Sequence, residues 1–329
     1  MDKIVLSVKD KRILSALDKD ANLSLSSLAR KVGLSRQVIE YRLKKLHEQH
    51  TIYAFYTIVD VGKLGYSSFR VHMRLKNVNQ ERCVKFAEEL FVNYPTFWVG
   101  FVSGSFDIII DIFAKNSNEF ENIILDIVKK NKEIVQSYDT LVMLALNLYK
   151  YGYFYELEKN REEIKVHRNN PECNLNTIDE KILVAMKVNS RLSYEEIARK
   201  IGLTRNAVKE RIKKLESKGV IEDYMMVVNF NHFDKQSFKI FVKYNNSKIE
   251  QEKELFEEIR QTPGILNTVK LLGKWDLDIE IHRDNIRDLQ QFIIGLRNKY
   301  DLIENYEVIQ IIDDYGIDFY PEKLAEAKK

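Results

Sequence analysis

The chain has 329 residues, a formal net charge of +3, and 45% hydrophobic against 31% charged residues. That composition describes a globular protein with room for two or more domains and excludes a disordered or membrane-embedded one. No basic segment followed by a long apolar core opens the sequence, and the longest nearly uncharged apolar stretch, residues 140–149, is too short to span a bilayer. Two distant cysteines, Cys83 and Cys173, exclude a Cys-rich metal knuckle and a disulfide scaffold, so a cytoplasmic protein with unpaired thiols is expected.

Taken in order, the first elements are helical. Ile13, Leu14 and Leu17 have the spacing of a buried helix face. Ser24-Leu-Ser-Ser27 opens a short second helix, and Ser35 can N-cap a third whose Ile39, Leu43 and Leu46 share one side. A short β pair, residues 52–59 and 221–228 in the two halves of the chain, follows as the wing. The period then changes to two: Phe69, Val71, Met73 and Leu75 alternate with Arg70, His72 and Arg74. Phe86, Ala87 and Leu90 predict a helix, Phe106, Ile108, Ile110 and Ile112 a strand, and Phe120, Ile123, Ile124 and Ile127 another helix. A charged, Asn-rich stretch containing Pro171, residues 156–175, reads as a linker, partly helical at its start.

Beyond it the chain repeats. Shifted by 169 positions, residues 10–52 fall on 179–221 without a gap, and Gly104-Ser-Phe-Asp107 falls on Gly273-Lys-Trp-Asp276. In the second copy Thr177-Ile-Asp-Glu180 and Ser193-Tyr-Glu-Glu196 read as capping boxes. Each copy runs strand, helix, strand, strand, helix, strand after its helical head. The fold class is therefore α+β, with two winged helix-turn-helix domains alternating with two ferredoxin-like βαββαβ domains. The expected boundaries are 1–60 and 61–155, the linker, then 176–230 and 231–329.

The third helix carries the chemistry. With its apolar face turned inward, Ser35, Arg36, Gln37, Glu40, Tyr41, Lys44 and Lys45 lie outward or at its start. The second copy offers Thr204, Arg205, Asn206, Lys209, Lys213 and Lys214, with Glu210 beside them. Arg, Gln and Asn in a first turn can make bidentate hydrogen bonds to base edges in a major groove, and the lysines suit phosphates. A charged, solvated helix face is the plainer reading, but the three-helix spacing occurs twice. Each head, residues 1–52 and 176–221, carries 11 Lys/Arg and 6 Asp/Glu, a net of +5, so the remainder is acidic. Two basic heads on an acidic body would orient themselves toward double-stranded DNA.

Ile178-Asp-Glu-Lys-Ile-Leu, Asn189-Ser-Arg-Leu-Ser, Ile197-Ala-Arg-Lys-Ile-Gly-Leu-Thr and Val208-Lys-Glu-Arg-Ile-Lys-Lys-Leu resemble the helix-turn-helix of the Lrp/AsnC family of feast/famine regulators. Gly104-Ser-Phe-Asp107 and Gly273-Lys-Trp-Asp276 resemble the Gly-x-aromatic-Asp turn of that family's ligand-sensing domain. The resemblance covers nearly the whole chain, twice. It implies a sequence-specific DNA-binding transcription regulator, an amino acid or related small molecule as effector, contacts to it from Gly104, Asp107, Gly273 and Asp276, and assembly through the sensor sheets into a homo-oligomer. The tandem copy departs from the family's single unit, and His50-Thr51 against Gly219-Val220, with Tyr41 against Glu210, implies that the two heads do not read identical half-sites.

The same glycine turns have a purely structural reading, since glycine tolerates tight-turn angles and the aspartates can accept nearby backbone N–H groups. The six histidines form no ligand cluster, so no metal and no cofactor is expected, and no phosphate loop, nucleophile elbow or paired catalytic carboxylate stands out. A chromatin-like protein of weak specificity is an alternative. So is an enzyme: the siroheme decarboxylases share this layout and resemble one another through a His-Asn-Tyr-x-Arg run. Phe97-Trp-Val-Gly-Phe101 and Leu266-Asn-Thr-Val-Lys270 occupy that strand here and lack that polar set. A catalyst is not expected.

The second faces of the sheets bear Arg70, His72 and Arg74 beside Asp107 and Asp111, and Lys239, Phe241 and Lys243 beside Asp276, Asp278, Glu280 and His282. Basic strip against acidic strip predicts that the two sheets pack face to face within one chain as a pseudo-dimer.

Overall fold

The protein is described from a computed structural model covering residues 6–152, 163–166, 173–187 and 189–326. Each copy opens with three helices: α1 (Val8–Lys19), α2 (Leu25–Val32) and α3 (Arg36–Glu48), then α6 (Thr177–Met186), α7 (Tyr194–Ile201) and α8 (Arg205–Ser217). Their starts are set by side-chain caps. Ser24, Ser35, Ser193 and Thr204 each accept from the N–H three residues on, and Ser193 with Glu196 makes the expected reciprocal box. The start of α6 differs from expectation: Asn176 accepts from the N–H groups of Ile178 and Asp179, leaving Thr177 inside the helix. Arg42 bonds Asp10 at 2.8 Å and Arg211 bonds Asp179 at 2.8 Å, so the same ion pair fastens the third helix to the first in both heads.

The wing is built across the copies. Strand β1 (Ile52–Val59) pairs antiparallel with β7 (Ile221–Val228), with Phe55 opposite Met226 and Thr57 opposite Tyr224. Each head supplies one strand of a shared ribbon, so the β pair is not a hairpin within one head. Ribbon and heads interlock: Ser190 N–H donates to Phe55 O at 2.7 Å, the Thr57 hydroxyl donates to Met186 O at 2.9 Å, and Asp18 accepts from the N–H groups of Tyr151 and Gly152.

Behind the ribbon lie two βαββαβ units. The first is β2 (Ser67–Leu75), α4 (Gln80–Asn93), β3 (Thr96–Ser103), β4 (Ile108–Ala114), α5 (Ser117–Lys130) and β5 (Val135–Tyr149). The second begins with β8 (Gln236–Tyr244), α9 (Glu252–Gln261) and β9 (Ile265–Leu272). It ends with β10 (Leu277–Arg283), α10 (Ile286–Lys299) and β11 (Ile303–Ile317). Within the units the strand orders are β5-β2-β4-β3 and β11-β8-β10-β9, as a ferredoxin-like sheet requires. The last strand of each unit is long enough to leave it. The first part of β5 pairs with β2 and its second part with β9, while β11 goes from β8 to β3. Both edges are thereby closed, and eight strands form a ring. A further strand, β6 (Glu163–Val166), adds to β5 with Leu146 opposite Val166. Part of the expected linker is thus sheet, whereas the helix expected at its start lies outside the described residues.

Period-two alternation sorts the side chains. Phe69, Val71 and Met73 pack under α4 and α5, and Phe238, Ile240 and Val242 under α9 and α10, as two separate helix-on-sheet cores. The opposite faces are not solvated. Arg70, His72, Asp111, Lys239, Asp278 and His282 are buried, and the Arg70 guanidinium of the first copy reaches Asp278 of the second. The two sheets meet through these faces, with Phe241 4.8 Å from His72 between ring centroids.

Candidate nucleic-acid interface and interior cavity

On α3, Arg36, Gln37, Glu40, Tyr41, Lys44 and Lys45 are exposed, and Tyr41 keeps 67% of its surface. A tyrosine that open, on the face of the helix away from Ile39, Leu43 and Leu46, is available to a partner. On α8, Arg205, Asn206, Lys213 and Lys214 are exposed and Lys209 is half-buried. Ser35 and Thr204 point their oxygens at Val38 N–H and Ala207 N–H, so both spend an acceptor on the helix start. One difference between the heads concerns the first-turn arginines. Arg205 is paired with Glu195 of α7 at 2.5 Å, whereas no ion pair engages Arg36 among the described residues. The position matching Glu195 in the first head is Ser26.

The glycine turns join β3 to β4 and β9 to β10. Gly104 and Gly273 share a φ of +142°, which favours glycine, and a Cβ on either would come within 2.9 Å and 2.8 Å of Ile309 Cγ2 and Leu141 Cδ2 of the other copy. Asp107 accepts from Leu75 N–H at 2.8 Å, and Asp276 from Tyr244 N–H at 2.8 Å. Both carboxylates also face a neighbouring cation, Arg74 and Lys243. The two turns lie side by side, with Lys274 over the Phe106 ring at 5.8 Å.

A cavity of about 460 Å³ opens at the other end of these strands, between the β1–β7 ribbon and the ring. None of Gly104, Asp107, Gly273 or Asp276 borders it. Its wall contains a buried charge cluster. Arg70 grips Asp111 through two bonds of 2.7 Å and also donates to Asp278. Lys239 donates to Asp278 at 3.0 Å and to Glu280 at 2.9 Å, and lies 4.9 Å from the centre of the Trp98 ring. Burial works against the charged forms, but the neighbouring opposite charges prevail, so Asp278 and Glu280 are held below and Arg70 and Lys239 above their ordinary values. Asp314 is different: burial, followed by the Glu280 charge, pushes its carboxyl up to about 7, although it accepts from Trp98 Nε1 at 2.8 Å. Among the described residues no group of three or more His, Cys, Asp or Glu is arranged to hold a metal, and no helix is long and apolar enough to cross a membrane.

Residues 6–47 match the AsnC-type helix-turn-helix domain and residues 175–222 a winged helix-turn-helix DNA-binding domain. The transcriptional regulator AzlB of Bacillus subtilis (strain 168) is 33% identical over 144 residues, which are 43% of this chain and 90% of AzlB. The chain belongs to the Lrp/AsnC family of transcription regulators. An HTH-type transcriptional regulator of Pyrococcus horikoshii is 30% identical over 144 residues, again 43% of this chain and 89% of that protein. Each relative thus corresponds to less than half of this Lrp/AsnC chain, in keeping with two copies in tandem. Across its full length the chain has the fold of the siroheme decarboxylase NirDL, with a TM-score of 0.62, 17% identity and 98% and 99% of the two chains covered. The regulator is a DNA-binding protein of the Lrp/AsnC type with two helix-turn-helix heads.

Sequence reasoning placed the third helix of each head and its outward face, and missed the cavity. Its signal was present as a difference between the copies: Trp98 corresponds to Asn267, Phe113 to His282, and Ala145 to Asp314. Nothing in a repeat alone says that such positions share one space; the crossing of β5 and β11 brings them together.

Proposed function

We propose that this regulator reads double-stranded DNA with α3 and α8 together, its two heads presented as a pair by one polypeptide. Arg36, Gln37, Arg205 and Asn206 take the base edges, Lys44, Lys45, Lys209, Lys213 and Lys214 the phosphates, and Ser35, Glu40, Tyr41 and Thr204 the flanks of the contact. The observation that carries this reading is the same capped, basic, outward third helix in both heads, tied together by the ribbon. Domain limits near 60, 155, 175 and 230, a cytoplasmic address, assembly with further copies and an amino-acid effector belong to the same proposal. The Gly104 and Gly273 turns are the effector contact it offers, supported by the family resemblance. Since Asp107 and Asp276 already brace strand ends, such a contact would use the turn backbone. Selection of bound sites from random DNA, followed by titration at 50 and 200 mM salt with and without amino acids, tests it. Enrichment of a motif supports specific regulation; uniform binding points to the chromatin-like alternative.

The whole-chain likeness to NirDL favours a second reading, a siroheme decarboxylase-like enzyme. Against it stand the buried cations of the cavity wall, which are already matched by Asp111, Asp278 and Glu280 and leave little for a polycarboxylate substrate. Absorbance titration with an iron tetrapyrrole separates the two readings.

A further inference from the structure

We propose that the cavity between the ribbon and the ring is a binding site for a small organic cation, a primary amine on an apolar or aromatic body. Its walls are aromatic on several sides, with Tyr53 and Tyr56 from the ribbon, Phe97 and Trp98 from β3, Tyr149 from β5 and Tyr315 from β11. Such rings attract a desolvated ammonium through their electron-rich faces. The charge of the wall has the complementary sign. Four carboxylates, Asp111, Asp278, Glu280 and Asp314, of which all but Asp278 border the cavity, stand against two cations, Arg70 and Lys239. Both cations are engaged with the first three carboxylates, and no cation pairs with Asp314 among the described residues. An anion entering here would meet no unspent positive charge.

Asp314 faces the empty space directly. It retains open surface, yet it lies deep enough among protein atoms for burial to dominate its ionisation, and both hold because that surface borders the cavity. An ammonium beside it would stabilise the ionised carboxylate and offset the repulsion from Glu280. Trp98 fixes the other carboxylate oxygen and is itself seated over Gly100, where any Cβ would collide with the indole.

The lining is also lopsided about the pseudo-two-fold. The first copy contributes Phe97 and Trp98 where the second has Leu266 and Asn267, and the second contributes His282 and Asp314 where the first has Phe113 and Ala145, neither of which borders the cavity. A homodimer would present two equal half-sites, whereas the fused chain places its acid and its tryptophan together at one end, 2.8 Å apart, and leaves the rest of the lining mostly aromatic and aliphatic. That polarity suits a single ligand with a charged head and an apolar tail. The site is separate from the reader helices and from the glycine turns, so it stands whether or not those readings hold.

The test uses the full chain and Trp fluorescence, with phenethylamine, cadaverine, the neutral 2-phenylethanol and the anionic 3-phenylpropionate as probes. Saturable binding of an amine, at least tenfold tighter than the neutral or anionic analogue, is expected. Asp314→Asn should weaken that binding by tenfold or more while a thermal melt confirms that the variant folds; Trp98→Phe should remove most of the signal change. Amine binding that Asp314→Asn leaves unaltered, equal binding of 3-phenylpropionate, or no saturable binding of either amine overturns the proposal. The charge preference of the wild-type chain decides the matter even if the Asp314 variant does not fold.

Discussion

Arg70 on β2 and Asp278 on β10 form an ion pair that joins the first copy to the second, with both side chains buried. The tie is made once. The residues matching Arg70 and Asp278 by the repeat are Lys239 and Ile109, so the reciprocal pair has no acid to receive it. A buried arginine with two carboxylates is costly to disrupt because removal of one partner leaves uncompensated charge. Arg70→Ala should therefore lower stability by about 3–5 kcal/mol, seen as an earlier urea midpoint. An unchanged midpoint would mean that water already reaches Asp111 and Asp278.

The proposed reading role of α3 and α8 leads to an asymmetric expectation. Arg36 is unengaged by an ion pair among the described residues, while Arg205 must leave Glu195 before it can contact a base. An exposed pair of this kind is worth about 0–1 kcal/mol, so it biases the second head without blocking it. Arg36→Ala should cost about 1–3 kcal/mol at the preferred site and relax specificity there. Arg205→Ala should cost less, and Glu195→Ala should tighten binding slightly. Lys45→Ala should weaken all DNA alike and flatten the salt dependence. Gel-shift titration measures each; equal losses for Arg36→Ala and Arg205→Ala would remove the asymmetry.

What the sequence disclosed follows from which interactions are local. Caps, apolar spacing and period-two alternation act within a few residues, so the helices of both heads and the strands through Phe69, Ile108, Phe238 and Leu277 were readable, although Phe106 and Trp275, read as the starts of two of them, lie in the preceding turns. The 169-residue offset gave the duplication directly. Pairing between distant strands was not readable in the same way. Nothing near Ile52 indicates that β1 will meet β7 rather than close its own hairpin, and the length of β5 beyond Val142 gives no partner by itself. Alternating charges on Arg70 and Asp111 suggested a paired face, but the cavity at its margin required the crossing of β11 to β3. Four of the predicted site residues illustrate the limit. Gly104, Asp107, Gly273 and Asp276 were open to both a structural and a ligand role because a turn sequence specifies a shape before it specifies a contact.

Acid should destabilise the protein through a buried histidine. Burial, with Arg70 next, lowers His72 from an ordinary 6.5 to about 3. The unfolded chain thus takes up a proton first. His72 contributes stability that is complete above about 6.5 and lost as pH falls toward about 3. His282, lowered mainly by burial to about 4, acts in the same direction. Asp314 opposes them, since a carboxyl raised to about 7 contributes stability present below about 3.8 and lost as pH rises through 7. Between pH 6.5 and 4 the two buried histidines leave a net loss of stability on acidification, which the more exposed Asp314 offsets only in part. His72→Gln should make that loss shallower in urea melts taken at several pH values, with His282 keeping its direction. A slope equal to that of the wild type would show that His72 is protonated in the folded chain.

The aspartates of the glycine turns can be assigned by separating stability from response. Asp107 Oδ2 accepts the Leu75 N–H at 2.8 Å where β2 ends, and Asp107 N–H donates to Met73 O at 3.0 Å, so one residue holds both sides of the strand terminus. Asp276 repeats this against Tyr244 and Val242. Removing the carboxylate leaves a largely enclosed N–H without its acceptor, a loss of about 1–3 kcal/mol. Asp107→Ala and Asp276→Ala should each lower the urea midpoint by that amount, while Asp107→Asn, which retains an acceptor oxygen, should lower it less. Gly104→Ala should be as harmful as either, because φ is +142° and its Cβ would press on Ile309 across the copies. DNA titration with and without amino acids is then run on whichever variants stay folded. Retained effector response with reduced stability assigns the aspartates to bracing the sheet. Full stability with a lost response would instead make Asp107 and Asp276 ligands, and would shift the effector contact from the turn backbone to their carboxylates.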